Sequence, residues 1–333
     1  MGACLAHCGA GLERLLMPAE GSCTAEWPGF DEPQQDSLLL IGHVTLRTSD
    51  PALTRSFFVD GLGARPCGKA ASGDEVSVGA GATQFHLASA PNARRWPGQF
   101  YVWVEDIQQT WEASRALGEQ LGAEVIQQEV CCKDERKVDV LLLQEPACGN
   151  LFLVNQAPKG YAAKARRAAA HGGGAEQPSN LLSVMDVLRY VPQGVAPAIA
   201  RFYKHFLMAS AAVTEDGCRV HFACGETLRQ TLTFKEGPSD HGEPVSEDSQ
   251  VCIYLPTLAK FRITFAKASK AGIVSAPEGG WPAAEQLGEF RVRQCVDPAS
   301  EAMVMELEHV IKAPGRPDCP SLAAQWWSAV VGA

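Results

Sequence analysis

From Ser37 to Lys312 the chain runs four times through one order of elements: a strand, a helix and then a set of short strands. Such a repeat constrains the fold more than any bulk property, because each unit must bury the same kind of face and can do so only against its siblings. In the first unit LLLIGHVTLRT reads as a strand. DPALTRSFFVDGLG reads as a helix that opens on Asp50 and Pro51 and stops at Gly61 or Gly63. DEVSVGAG and TQFHLAS read as two short strands across a glycine-rich turn. The second unit has QFYVWVED as a strand and IQQTWEASRALGEQLGA as an amphipathic helix with its glycine stop, followed by strands EVIQQEV, VDVLLLQ and NLFLVNQ. A break follows in APKGYAAKARRAAAHGGGAEQPSN, whose small residues, charges and consecutive glycines read as a flexible connection.

Beyond the break the arrangement returns. LLSVMDVLRYV is a strand, APAIARFYKHFLMA a helix, CRVHFACG and TLRQTLTFKE a hairpin, QVCIYLPTLA a strand, KFRITFAKASKAG a helix ending at Gly272, and EFRVRQCV and AMVMELEHVI closing strands. QFYVWVEDI and QVCIYLPTL align without a gap, so the two copies are expected as α+β domains over 37–157 and 181–312. They are joined by a linker at 158–180 and flanked by an extension at 1–36, expected to be partly disordered, and a tail at 313–333 whose Trp326 and Trp327 are expected to cap the second copy. A length of 333 residues suits two such cores.

Composition excludes several classes of function. A net charge of −9 argues against nucleic acid as the partner, because phosphate binding needs a concentrated basic surface. The single basic cluster, KGYAAKARR, reads as a solvated part of the linker. The 12 cysteines show no disulfide framework and no leader with a charged start and an apolar core is visible, so they are expected as reduced thiols in an intracellular, cytoplasmic protein. Cys131 and Cys132, being adjacent, cannot share one strand face. No run of about eighteen apolar residues is present to span a membrane. At the N-terminus, Gly2 and Cys4 hint at acylation, although Ala6 stands where the myristoylation pattern has Ser or Thr. Cys4, His7 and Cys8 lack the second ligand cluster that a metal site would need.

A strand, a helix and three strands, duplicated into a cupped sheet and then repeated in tandem, resembles the vicinal oxygen chelate superfamily of glyoxalase I, extradiol dioxygenases and bleomycin-resistance proteins. IGHVTLRTSDPALTRSFFVDGLGARP carries the resemblance best, as the family's opening strand and helix with the closing Leu-Gly. The resemblance implies two βαβββ modules per cup, with metal ligands on the first, fourth, fifth and eighth strands. In the first copy those positions fall on His43, His86 (with Gln84 on the same strand), Gln99 and Leu153. In the second they fall on Asp186, Leu232 (with Gln230 nearby), Gln250 and Glu306. Glyoxalase I enzymes exchange halves between domains. That exchange would gather His43, His86, Gln250 and Glu306 into one set suited to Zn, Ni, Fe or Mn, and leave Gln99, Leu153, Asp186 and Leu232 as a degenerate second set.

Each candidate also has a plainer reading. His43 and His86 can be ordinary hydrogen-bonded strand residues, Glu306 with Glu308 a solvent face, and Gln99 and Gln250 amides that close the sheet. His205 reads as a helix histidine and His221 as a strand histidine. Two functions follow as expectations. One is a metal-dependent lyase or isomerase of a small carbonyl substrate, with Glu306 as ligand and general base. The other is a metal-free small-molecule-binding protein of the bleomycin-resistance type, motivated by Tyr101, Trp103 and Tyr254. An assembly scaffold is a third role, and an extradiol dioxygenase ranks lower because neither copy holds two histidines and a glutamate at the ligand positions. Two covalently joined domains can mimic a dimer, so a monomer is expected.

Overall fold

The computed structural model describes residues 40–69, 75–81, 83–130, 138–163, 179–224, 228–237, 249–275, 277 and 279–314. The N-terminal extension with its acylation hint and Cys4, His7 and Cys8 lies outside the described residues, as do Cys131, Cys132, most of the linker and the tail bearing Trp326 and Trp327.

The four repeats are four modules. The first holds β1 (Leu40–Thr48), α1 (Pro51–Ser56), β2 (Arg65–Lys69), β3 (Glu75–Ala80) and β4 (Thr83–Ser89). The second holds β5 (Gly98–Val104), α2 (Ile107–Leu121), β6 (Ile126–Val130), β7 (Val140–Gln144) and β8 (Leu151–Gln156). The third holds β9 (Leu181–Val191), α3 (Ala196–Phe206), β10 (Ala211–Thr214), β11 (Gly217–Cys224) and β12 (Leu228–Glu236). The fourth holds β13 (Gln250–Tyr254), α4 (Leu258–Lys270), β14 (Val274–Ser275), α5 (Gly280–Leu287), β15 (Glu289–Val296) and β16 (Met303–Lys312). The short edge strands β2, β10 and β14, and the helix α5, carry too few residues for a hydrophobic period to register, and the sequence pattern passes over them.

Local chemistry sets the helix ends. Asp50 accepts a hydrogen bond from the Leu53 amide with Pro51 in the first turn, and Asp106 caps α2 by accepting from the Gln108 and Gln109 amides. The helix expected over DPALTRSFFVDGLG continues past α1 as a π-helical turn, Phe57–Gly61. That wider turn lets the adjacent Phe57 and Phe58 both bury completely, which regular α-helical spacing makes difficult.

Two eight-stranded sheets result, and neither is built from one copy alone. The first-and-fourth sheet has the order β14-β15-β16-β13-β1-β4-β3-β2, and the second-and-third sheet β10-β11-β12-β9-β5-β8-β7-β6. β1 pairs antiparallel with β13, and β5 with β9. The two modules within each copy meet instead through the core. Phe58 packs on Phe152 at 5.3 Å and Phe85 on Phe100 at 5.4 Å, joining the first module to the second. Phe202 and Tyr203 pack on His309, joining the third to the fourth.

Polar ties run between the sheets. A bulge in β1 between Ile41 and His43 interrupts its ladder, and the Ile41 amide donates to Gln230 Oε1 at 3.0 Å. Gln230 Nε2 in turn donates to Thr83 Oγ1 and the Val184 carbonyl. Gln230, read from sequence as a neighbour of a ligand position, is thus a buried inter-sheet connector. At Gly81 (φ +64°), in the β3–β4 turn, a Cβ would strike the Leu182 carbonyl of the other sheet, so only glycine fits there.

Candidate functional site

The inner faces of both sheets are apolar and feed one continuous core, which contains Val44, Leu46, Phe100, Val102, Val187, Leu232, Val251 and Leu307. Strand alternation turns their neighbours to the opposite faces of the sheets, where all but Glu306 are buried or half-buried. On the first-and-fourth sheet the register lines up Gln84, His43, Cys252 and Val310 in one row, and His86, Thr45, Gln250 and Glu308 in the next. The His43 and His86 rings stack with centroids 3.9 Å apart and 7° between planes, and His86 Nε2 lies 3.1 Å from Gln84 Oε1. Gln250 stands beside Thr45, within the same face. Glu306 is exposed, two strands from His43 and four residues out of its register, which at ordinary strand spacing is roughly 16 Å between Cα atoms. The acid that shares the Gln250 row is Glu308, and it is bound to Arg291 at 2.8 Å.

These residues do not fit a shared divalent ion. A ring nitrogen's lone pair lies in the ring plane, and two parallel stacked planes have no common point about 2 Å from both nitrogens. Among the described residues no group of three or more His, Cys, Asp or Glu side chains is placed to hold a metal. The structure therefore brings His43 and His86 together and sets Gln250 beside them, and it leaves Glu306 apart.

The second-and-third sheet is chemically richer. One row crosses it through His221, Thr231, Asp186, Tyr101 and Leu153, on β11, β12, β9, β5 and β8. The next row carries Arg219, Thr233, Leu188, Gln99 and Leu151. Asp186 is only 5% exposed. Thr231 and Thr233 both donate to its Oδ1, at 2.6 and 2.9 Å. Burial pushes its carboxyl up to about 6, against the opposing pull of the two hydroxyls, Arg219 and the Val187 amide. Opposite it, the Tyr101 hydroxyl accepts from Gln99 Nε2 at 2.9 Å, and burial together with the Asp186 charge keeps the phenol protonated. Trp103, one row over, meets Tyr161 edge-on at 4.8 Å.

No family model matches this sequence and no curated protein does. Solved structures do. A putative dioxygenase from Bacillus subtilis is 11% identical, with a TM-score of 0.52 over 85% of this chain and 87% of that one. Glyoxalase I from Zea mays is 13% identical, with a TM-score of 0.49 over 87% of this chain and 95% of that one. The cppA protein from Streptococcus pneumoniae is 11% identical, with a TM-score of 0.42 over 83% and 98%. Together with the fourfold module, the Bacillus match decides the architecture. This is the vicinal oxygen chelate fold, in tandem.

Within that fold His43 and Asp186 occupy matching places on the opening strands of their modules. Two sequence assignments shift. Leu232 points into the core, and Thr231 and Thr233 on either side of it reach the opposite face, where they meet Asp186. Leu153 lies opposite Tyr101 as Val310 lies beyond Cys252, so Leu153 and Glu306 are not counterparts. The face expected to be degenerate holds the buried acid. The signal for it was present: Asp186 is the only acid in the eleven-residue apolar strand β9, and Thr-Leu-Thr in β12 puts two hydroxyls on one face.

Proposed function

We propose that this chain is a metal-independent small-molecule-binding protein whose ligand site is the face of the second-and-third sheet that bears Asp186. The observation that carries this reading is the buried carboxylate of Asp186, held by Thr231 and Thr233 in the middle of a face flanked by Tyr101, Tyr190, Trp103 and Leu153. Polar groups that converge beside aromatic and aliphatic side chains are the means by which a small-ligand site fixes orientation. Its rings favour a planar or aromatic portion of the ligand, and Asp186 with Tyr101 and Arg219 supply an acceptor and two donors for a polar portion.

The glyoxalase-type alternative needs His43, His86, Gln250 and Glu306 around one ion, and the stacked imidazoles and the separation of Glu306 weigh against it. Two measurements decide between the readings. Protein grown with zinc, nickel, iron and manganese is expected to hold far less than one equivalent of any of them by elemental analysis. In a thermal-shift screen of small aromatic carbonyl compounds, stabilising ligands are expected to act equally with and without EDTA and to lose their effect in Leu153→Glu. Stoichiometric metal, or shifts abolished by EDTA, would overturn the proposal.

A further inference from the structure

Buried charged groups elsewhere in the molecule are met by partners. Glu145, fully buried, accepts from Thr54 Oγ1 at 2.9 Å, from the Ala147 and Cys148 amides at 2.7 and 3.0 Å, and from Asn150 Nδ2 at 3.1 Å. Lys312, on β16, lies 3.7 Å from Glu289. Arg189 is different. It is 5% exposed, and its place beside Phe234 in the β9–β12 register puts it on the core face of its sheet. Its Nη2 donates to the Glu306 carbonyl at 2.7 Å, and the guanidinium lies 5.9 Å from the centroid of the Trp96 ring. Its Nη1 is buried with no hydrogen-bond partner, and no carboxylate among the described residues forms an ion pair with it.

The groups around this guanidinium do not supply the missing negative charge. Cys295 on β15 and Tyr203 on α3 are wholly buried, and burial holds the thiol and the phenol in their protonated forms. Tyr203 shares a 2.6 Å hydrogen bond with His309, which burial and Arg189 itself keep neutral. The Glu306 side chain is exposed and acts on Arg189 only at a distance. Burial lowers Arg189 to about 10, so it remains a cation at neutral pH. A cation taken out of water without a counter-charge is costly, and buried charges in folded proteins are paired. The Trp96 face and one carbonyl offset part of that cost, which leaves Nη1 to meet the rest.

We propose that Arg189 Nη1 binds a small monovalent anion of the halide class, chloride foremost, where the third module meets the fourth. A close-packed core beside Phe234 suits a single ion rather than an organic carboxylate, and the cost of dehydrating a second charge disfavours sulfate and phosphate. Arg189 and Tyr203 come from the third module and Cys295, Glu306 and His309 from the fourth, so the ion ties one sheet to the other and stabilises only the folded chain. The site lies on the core side of β9 and is independent of the ligand face that bears Asp186.

Thermal unfolding of the full chain in sodium chloride, bromide and fluoride at equal ionic strength tests this. Chloride and bromide are expected to raise the midpoint by about 3 °C over fluoride at roughly a hundred times the dissociation constant, along a saturable curve. Exclusion of well-hydrated ions from protein surfaces works in the opposite direction and favours fluoride, so the order of the three salts separates binding from a general salt effect. Arg189→Met keeps much of the side chain's volume, removes the charge and should abolish the preference for chloride and bromide. Crystals of wild type grown in bromide should show an anomalous peak beside Nη1, a readout that stands even if the variant fails to fold. Equal midpoints in the three salts, or a halide preference that survives in Arg189→Met, overturn the proposal. A water molecule at Nη1 overturns it too, as does a bromide peak with no halide-dependent shift, which would mean binding at crystal concentration only.

Discussion

Two buried titratable residues have opposite consequences for stability. Asp186 is raised to about 6 by burial, so the folded state holds its proton more tightly than the unfolded chain does. Its contribution is full below the unfolded value near 3.8 and is lost as pH rises through about 6, a difference on the order of 3 kcal/mol. His309 is pushed down to about 3 by burial and by Arg189, and its Nε2 lies 2.6 Å from the Tyr203 hydroxyl. The folded state therefore refuses its proton, and stability is lost as pH falls below the unfolded value of 6.5. The two slopes overlap and oppose each other. Asp186→Asn should consequently be more stable than wild type at about pH 8, and should lose stability more steeply on acidification. Urea midpoints across about pH 4 to 8 check this, and parallel curves for the two proteins would contradict it. At the same scale, a sequence can reveal that Asp186 is anomalous, since one acid in β9 stands among apolar residues. It cannot reveal that the threonines aim at one oxygen, because that depends on the register of β12 against β9.

At the scale of elements, the π-helical turn after α1 is where module joins module. It allows Phe58 to touch Phe57, Phe85 and Phe152 together, so one ring links its own helix, its own sheet and the next module. Phe58→Ala is expected to cost about 3–5 kcal/mol, because these neighbours belong to two sheets and cannot collapse around the gap. Ile263→Ala on the exposed side of α4, where Ile263 is 45% exposed, should change stability by less than about 0.5 kcal/mol. Urea denaturation of both variants against wild type gives the comparison, and a small loss for Phe58→Ala would mean the modules are held mainly by their strand pairing. The long elements were legible because their periods are sustained: β9, α2 and β16 fall where the sequence pattern puts them. The two-residue β14 and the four-residue β10 were not, since their pairing is decided by a neighbour strand and not by their own residues.

For the whole molecule, the arrangement of the sheets means that neither copy is complete alone. Residues 37–157 expressed by themselves would leave the β1 edge that pairs with β13, and the β5 edge that pairs with β9, without partners. That fragment is expected to form a dimer in which one copy's β1 and β5 edges take a second copy's, or to aggregate, and size-exclusion with light scattering should find no stable monomer. A well-folded monomeric fragment would refute this. The sequence by itself determined the fourfold module, the α+β class and the chemical types available on each strand, because hydrophobic period and glycine and aspartate punctuation are local properties of the chain. Only the tertiary structure decided which modules share a sheet, that His43 and His86 stack, that Glu306 stands away from them, and that Asp186 meets Thr231, Thr233 and Tyr101 at the centre of the opposite face. Those outcomes depend on cross-strand register between segments far apart in sequence, and a shift of one residue there turns every side chain to the other face.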